Sequence, residues 1–165
     1  MTDLQQPNVS HTGMVVPDLD RAMREYGKAL ECEWAYLNHY RSALQIGGRL
    51  VVHEWRSTYS VGGEHHVELT QQIEGIFFTH PGLGLARSHH VGRWVEDLES
   101  EVSRLEADGF VPLMTGCERI GHYEHMVFLA HPSVGIAVEL LDIAMKPRLE
   151  AWLGGGASLS NVHSH

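Results

Sequence analysis

Only two cysteines, Cys32 and Cys117, occur among the 165 residues, far apart and without a CxxC neighbour. A disulfide scaffold or a thiolate zinc site therefore finds little support, and both thiols are expected to be free. Lysine is equally scarce: Lys28 and Lys146 stand beside ten arginines, and the formal net charge is −9. A surface of that sign repels phosphate-rich polymers, which argues against nucleic acid as a partner. It argues more weakly against a coenzyme A or nucleotide substrate, because a few well-placed arginines suffice for a phosphate group. No apolar run approaches the roughly 20 residues that span a bilayer. The opening MTDLQQPNVSH has no basic stretch followed by an apolar one, the mark of a secretory signal. A cytoplasmic protein with no membrane segment is the expectation.

What the chain does contain is a repeat. HTGMVVPDLDRAM, starting at His11, returns 79 residues later as HVGRWVEDLESEV, starting at His90. Each copy opens a segment that closes on a strand-like run with one glutamate, HVELT around Glu68 and AVELL around Glu139. A duplicated unit dictates architecture. The length allows one domain over residues 1–165, made of a first module at about 8–78, a linker at 79–88, a second module at about 89–143 and a C-terminal tail at 144–165. The closing GGGASLSNVHSH lacks the apolar content to pack and is expected to be mobile.

Both modules read as β-α-β-β-β. In the first, NVSHTGMVV is a strand, Asp18 caps a helix, and Leu19, Ala22, Met23, Tyr26 and Leu30 form its apolar stripe. Trp34 to Ile46, Leu50 to Val61 and His66 to Gln71 are strands separated by Gly47-Gly48 and Gly62-Gly63. In the second, His90 to Val95 leads to a helix capped by Asp97, with Leu98, Val102 and Leu105 buried up to Asp108-Gly109. Val111 to Thr115, Tyr123 to Ala130 and Ile136 to Leu141 complete it. The fold class is α+β. A module with one helix covers only one face of its sheet, so two modules are expected to join as a curved, partly closed barrel-like sheet with helices outside.

His11, Glu68, His90 and Glu139 then converge inside. Strand alternation puts Glu139 on one face with Ala137 and Leu141, and a carboxylate among apolar neighbours is costly unless paired or metal-bound. One of 13 histidines is by itself more often a surface residue than a ligand. Independent surface residues, however, have no reason to recur at matched points of both modules. Two imidazoles and two carboxylates suit one divalent ion per chain, with zinc, nickel, cobalt, manganese and iron all allowed. Of the adjacent pair His89 and His90, alignment of the repeats selects His90; His65 and His66 are assigned to the turn beside Gly62-Gly63. Counting back across a turn centred near Ser133 pairs Val127 with Glu139, which places His125 and Tyr123 on the cavity face as further acid or base candidates. Arg119 and His122 fall in a polar loop just upstream. Of Trp34, Tyr36, Tyr40, Trp55 and Tyr59, half should wall the cavity, which favours a carbon-rich, ring-containing or polyketide-like oxygenated substrate.

VVPDLDRAM and WVEDLESEV, each preceded by His, together with the VEL strands, resemble the vicinal oxygen chelate superfamily, which includes glyoxalase I, methylmalonyl-CoA epimerase, extradiol dioxygenases and bleomycin-resistance proteins. The resemblance spans about residues 8 to 143. It implies the metal ligands His11, Glu68, His90 and Glu139, and Lewis-acid enolate chemistry of an isomerase, epimerase, lyase or cyclase with Glu68 or Glu139 as base. Two alternatives stay open: an iron-dependent dioxygenase, which in this superfamily usually binds metal with two His and one Glu, and a metal-free protein that sequesters a drug or metabolite. A small-molecule substrate is the expected partner, and a homodimer is compatible with the sequence.

Overall fold

The computed structural model describes residues 9–75, 88–116 and 122–156. β1 (Val9–Val15) runs into α1 (Leu19–Leu30), whose first turn is capped by Asp18 accepting from Arg21 N at 2.9 Å. A cap of this kind contributes about 1 kcal/mol. Leu19 and Ala22 bury against Val16 and Leu69, whereas Tyr26 and Leu30, expected in the same stripe, are exposed. A two-residue strand, β2 (Glu33–Trp34), precedes β3 (Asn38–Ile46), so the expected single strand from Trp34 is broken. Trp34 instead turns toward α1, its indole donating to the Met23 carbonyl at 2.8 Å. β4 (Arg49–Val61) returns through Gly47 and Gly48, both with positive φ, and β5 (His66–Glu74) closes the first half.

The second half follows the same path through β6 (Ser88–Val95), α2 (Leu98–Ala107), β7 (Val111–Thr115), β8 (Met126–Ala130) and β9 (Ala137–Asp142). Asp97 caps α2 by accepting from Ser100 N at 3.1 Å, and Leu98, Val102 and Leu105 pack on Val127, Leu129 and Leu140. In each half the strands lie in the same spatial order, β3-β4-β5-β1 and β7-β8-β9-β6. The halves join at two seams, β1 against β6 and the short pairing of Gln45 and Ile46 with Thr115 and Met114. With β4 also paired to β5, eight strands close into a ring and β2 hangs on its edge. The expected partly closed sheet is thus a closed one, with α1 and α2 outside.

One element was not foreseen and one register needs correction. Where the second module meets the tail lies a 3-10 turn (Ile143–Met145), and within the tail α3 (Lys146–Leu153), whose Leu149 and Trp152 pack with Ala35, Tyr59 and Trp94. Trp152 is 1% exposed, so this helix belongs to the core. The mobile stretch expected beyond it, and most of the linker, lie outside the described residues. Second, Glu139 faces Phe128, not Val127. The connecting loop holds residues 131–136, an even number, so pairing centres between Ser133 and Val134 rather than on Ser133. Among the described residues no helix is long and apolar enough to cross a membrane.

Candidate metal centre

Strands β9, β6, β1 and β5 are consecutive in the ring, and each contributes one member of the His/Glu set. On the antiparallel β1–β6 seam, His11 lies opposite Gly92 and His90 opposite Gly13. On the parallel pairs, Gly13 lies beside Glu68 and Gly92 beside Glu139. Each glycine therefore sits between the imidazole of the other half and the carboxylate of its own. A β-carbon at Gly13 would overlap the His90 ring, and one at Gly92 the His11 ring. The repeated His-x-Gly thus has a steric reason: without side chains at the seam, two rings fold across the backbone toward one point.

The polar atoms meet there. His11 Nε2 and His90 Nε2 are 3.0 Å apart. His11 Nε2 is 2.9 Å from Glu139 Oε2 and 3.7 Å from Glu68 Oε2. His90 Nε2 is 3.0 Å from Glu68 Oε2 and 3.3 Å from Glu139 Oε2. The shorter imidazole–carboxylate contacts thus cross between halves. All four side chains are buried, and one ligand atom from each lies within 4.8 Å of the others. Ser10 Oγ lies 2.9 Å from His11 Nδ1, which occupies that nitrogen and leaves Nε2 for the centre.

A divalent ion suits this donor set. Donors bonded to one ion at about 2.1 Å, at or a little above right angles, stand about 3.0–3.4 Å apart, the range most of these pairs occupy. The charges point the same way. Burial disfavours a charged His90, but hydrogen bonds to Glu139 and Glu68 outweigh it and raise its pKa to about 9. Burial likewise opposes ionisation of Glu139, yet the imidazoles hold it down to about 2. Without an ion, protons must take the place of positive charge between two buried carboxylates. The cluster could accordingly hold a metal ion.

Aromatic rings brace both imidazoles. Tyr59, opposite Glu68 in the β4–β5 ladder, meets the His11 ring edge-on at 5.1 Å; Phe128, opposite Glu139, meets His90 at 4.9 Å. Burial, then the charges of Glu68 and Glu139, push the Tyr59 phenol well above its usual range. Beyond the cluster opens a cavity of about 200 Å³, walled by Tyr40, Trp55, Tyr59, Met114, Phe128 and Leu141 among others. Of the remaining aromatics, Trp34 packs under α1 and Tyr36 is exposed.

His125 lines this cavity, although it precedes β8 and the expected register was off by one. Its φ of 63° breaks the strand alternation, and its carbonyl accepts from Asp142 N at 2.9 Å. Tyr123 does not line the cavity: it also precedes β8 and packs with the α2-side cluster. His65 bonds Thr12 near the surface, His66 bonds the Ser60 carbonyl, and His122 lies 3.8 Å from Glu99 on α2. Cys117 and Arg119 fall outside the described residues. Several residues escaped the sequence reading. Gly13 and Gly92 were legible as the shared third letter of the repeat, whereas His53 and Arg148, which line the cavity, had no repeated partner to flag them.

The sequence profile of the glyoxalase/bleomycin resistance protein/dioxygenase superfamily matches residues 10–128. Comparison with curated proteins finds no match. Among solved structures, methylmalonyl-CoA epimerase from Mycobacterium tuberculosis is 18% identical with a TM-score of 0.59, over 90% of this chain and 97% of that one. A variant of the Streptomyces coelicolor epimerase in complex with 2-nitronate-propionyl-CoA is 14% identical, with a TM-score of 0.53 over 84% and 98%. A mutant of 4-hydroxymandelate synthase from Streptomyces coelicolor is 12% identical, with a TM-score of 0.54 over 83% of this chain and 49% of that one. These likenesses speak for the fold, and the profile match, covering most of the doubled unit, speaks for descent: the chain belongs to the glyoxalase/bleomycin resistance protein/dioxygenase superfamily.

Proposed function

We propose that this protein is a metal-dependent enzyme that removes a proton next to a carbonyl, in an isomerase, epimerase, lyase or cyclase reaction passing through an enolate. The carrying observation is the convergence of His11, Glu68, His90 and Glu139 at the base of an apolar cavity. These four would hold one divalent ion, with zinc, nickel, cobalt, manganese and iron all suited to the mixed donors. When bound, the ion supplies a Lewis acid for a substrate oxygen. A carboxylate oxygen of Glu68 or Glu139 takes the proton from carbon, and His125 in the wall is placed to give or receive a second one. The aromatic and aliphatic walls exclude water from that carbon and select a small, carbon-rich, oxygenated substrate, with polyketide-like rings among the candidates. The coenzyme A ligand of the Streptomyces neighbour is not carried over: a structure 14% identical speaks for the fold alone, and the net charge of −9 weighs weakly against its phosphates.

Metal analysis of untagged protein tests the assignment. About one divalent ion per chain is expected in the wild type, with most of it lost in His11→Ala and Glu139→Ala. Unchanged content in both variants overturns the ligand set. With a turned-over substrate in heavy water, deuterium is expected at the carbon beside the carbonyl. A requirement for dioxygen, with its atoms in the product, would replace this reading by an iron dioxygenase.

A further inference from the structure

Of the two described non-glycine residues with positive φ, Glu31 ends α1, a place where helices commonly turn left-handed. His125 ends no helix. Met126 N donates to the Glu124 carbonyl at 2.7 Å, which closes a three-residue γ-turn around His125. With a φ of 63° at its centre, this is the rare and strained hand of that turn. The flanking peptides pin it. The His125 carbonyl accepts from Asp142 N at 2.9 Å, and the Met126 carbonyl accepts from the Thr115 hydroxyl at 2.9 Å.

The turn exchanges two faces of the strand. Met126 and Phe128 line the cavity while Val127 packs on the α2 side, so β8 continued regularly backward would put Glu124 inward and His125 outward. The reverse is found: His125 lines the cavity and Glu124 is exposed. A third carboxylate in the apolar cavity that holds Glu68 and Glu139 would be repelled by both, whereas an imidazole gives and takes protons near neutral pH. His125 stands outside the four-residue cluster, up to about 10 Å along the chain from Phe128, the partner of Glu139.

Strain of this kind persists where the surroundings hold it in place, and it gathers at sites of function. Resting on the enolate reading above, we propose that the γ-turn places His125 against a second oxygen of the substrate, away from the carbonyl oxygen at the His/Glu cluster. The substrate is then a β-hydroxy carbonyl compound, and the reaction an elimination of the lyase class. Glu68 or Glu139 takes the proton from the carbon beside the carbonyl. The carbon–oxygen bond at the next carbon breaks as the carbon–carbon double bond forms, and the departing oxygen takes the proton of His125 and leaves as water. His125 regains a proton from solvent, to which the glutamate returns its own.

The test gives 4-hydroxy-4-phenylbutan-2-one, a neutral β-hydroxy ketone, to the metal-loaded full chain in heavy water. Deuterium entry beside the carbonyl is followed by NMR and the enone by its absorbance. The wild type is expected to do both. In His125→Gly exchange should continue while the enone forms at least about a hundredfold more slowly, the scale of a lost general acid. Metal content should be unchanged, and the melting temperature should rise by about 2–4 °C as the strain is released. His125→Asn, whose side chain also tolerates left-handed φ, gives the same kinetic answer if glycine loosens the wall. Exchange without enone in the wild type, undiminished enone in both variants, or a lower melting temperature in His125→Gly overturns the inference and leaves the enolate reading standing. Absence of exchange in the wild type removes the enolate reading, and this one with it.

Discussion

The two halves of the ring are alike in what they aim at the centre and unlike in what stands behind it. Each half supplies one histidine, one glycine beneath the other half's histidine, one glutamate, and one aromatic ring against its own histidine. Behind Glu68, however, that ring is Tyr59, and behind Glu139 it is Phe128. The matched groups are those a metal would need. The unmatched group is a single hydroxyl, carried by the Tyr59 ring opposite Glu68, and its surroundings set two sequence-equivalent carboxylates apart. Duplication therefore accounts for the matched His/Glu set, which could hold an ion, and divergence at one atom gives Glu68 and Glu139 different surroundings.

The largest expected effect comes from uncoupling the halves. α3 packs Trp152 and Leu149 against Ala35 and Tyr59 of the first half and Trp94 of the second. Trp152→Ala should lower stability by about 3–5 kcal/mol, read from denaturant unfolding. A loss under about 1 kcal/mol would show that the two strand seams alone hold the halves together. Next are the glycines, whose effects should cross over. Gly13→Ala displaces His90 of the second half, and Gly92→Ala displaces His11 of the first. Each should cost about 1–3 kcal/mol and strip metal from the protein, because the ring cannot keep its place. Full metal content in both would mean that the rings have room the structure does not show.

How far this was legible in the sequence depends on whether the signal was local or repeated. Asp18 and Asp97 as caps, Gly47-Gly48 as a turn and the helix α2 stripe rest on local chemistry and were read directly. His11, Glu68, His90 and Glu139 were legible because the repeat singled them out together, and the structure brings them within 4.8 Å. The β8–β9 register was not, because it turns on whether residues 131–136 hold an odd or even loop, which composition does not show. Tyr123 was misplaced for that reason, and because the left-handed His125 ends the alternation on which the count relied. α3 was missed since Leu149 and Trp152 find their partners, Tyr59 and Trp94, far away in the chain.

A smaller effect is a slope with pH, carried by the second half. The pKa of His90 in the folded chain is raised from 6.5 to about 9, so in metal-free protein its contribution is complete below 6.5 and lost as pH rises through 9. Glu139 is lowered from 4.5 to about 2, so its contribution is present above 4.5 and lost as pH falls through 2. The melting temperature of metal-free protein should therefore decline from pH 6.5 to 9.5, and the decline should flatten in His90→Gln. Added metal should reverse the sign, since the ion must displace the His90 proton and binds more tightly as pH rises. Parallel slopes with and without metal would show that His90 is not a ligand.

The smallest effect sharpens the comparison most. Tyr59→Phe gives both halves a phenyl ring and removes the one hydroxyl that distinguishes Glu68 from Glu139. The ring still packs on His11, so stability should fall by at most about 1 kcal/mol, the worth of a single hydrogen bond. Metal should still bind, because none of the four ligand groups is touched. What should change is how firmly Glu68 is held. In cobalt-loaded protein, the rate of stripping by a chelator should rise several-fold, and the visible spectrum should shift as the carboxylate gains freedom. The reverse swap, Phe128→Tyr, sets a hydroxyl beside Glu139 and should slow stripping relative to wild type. If both swaps leave the stripping rate and the spectrum unchanged, the hydroxyl does not separate the two carboxylates. The halves would then be equivalent at the centre despite their different walls, and any division of roles between Glu68 and Glu139 would have to come from the cavity side.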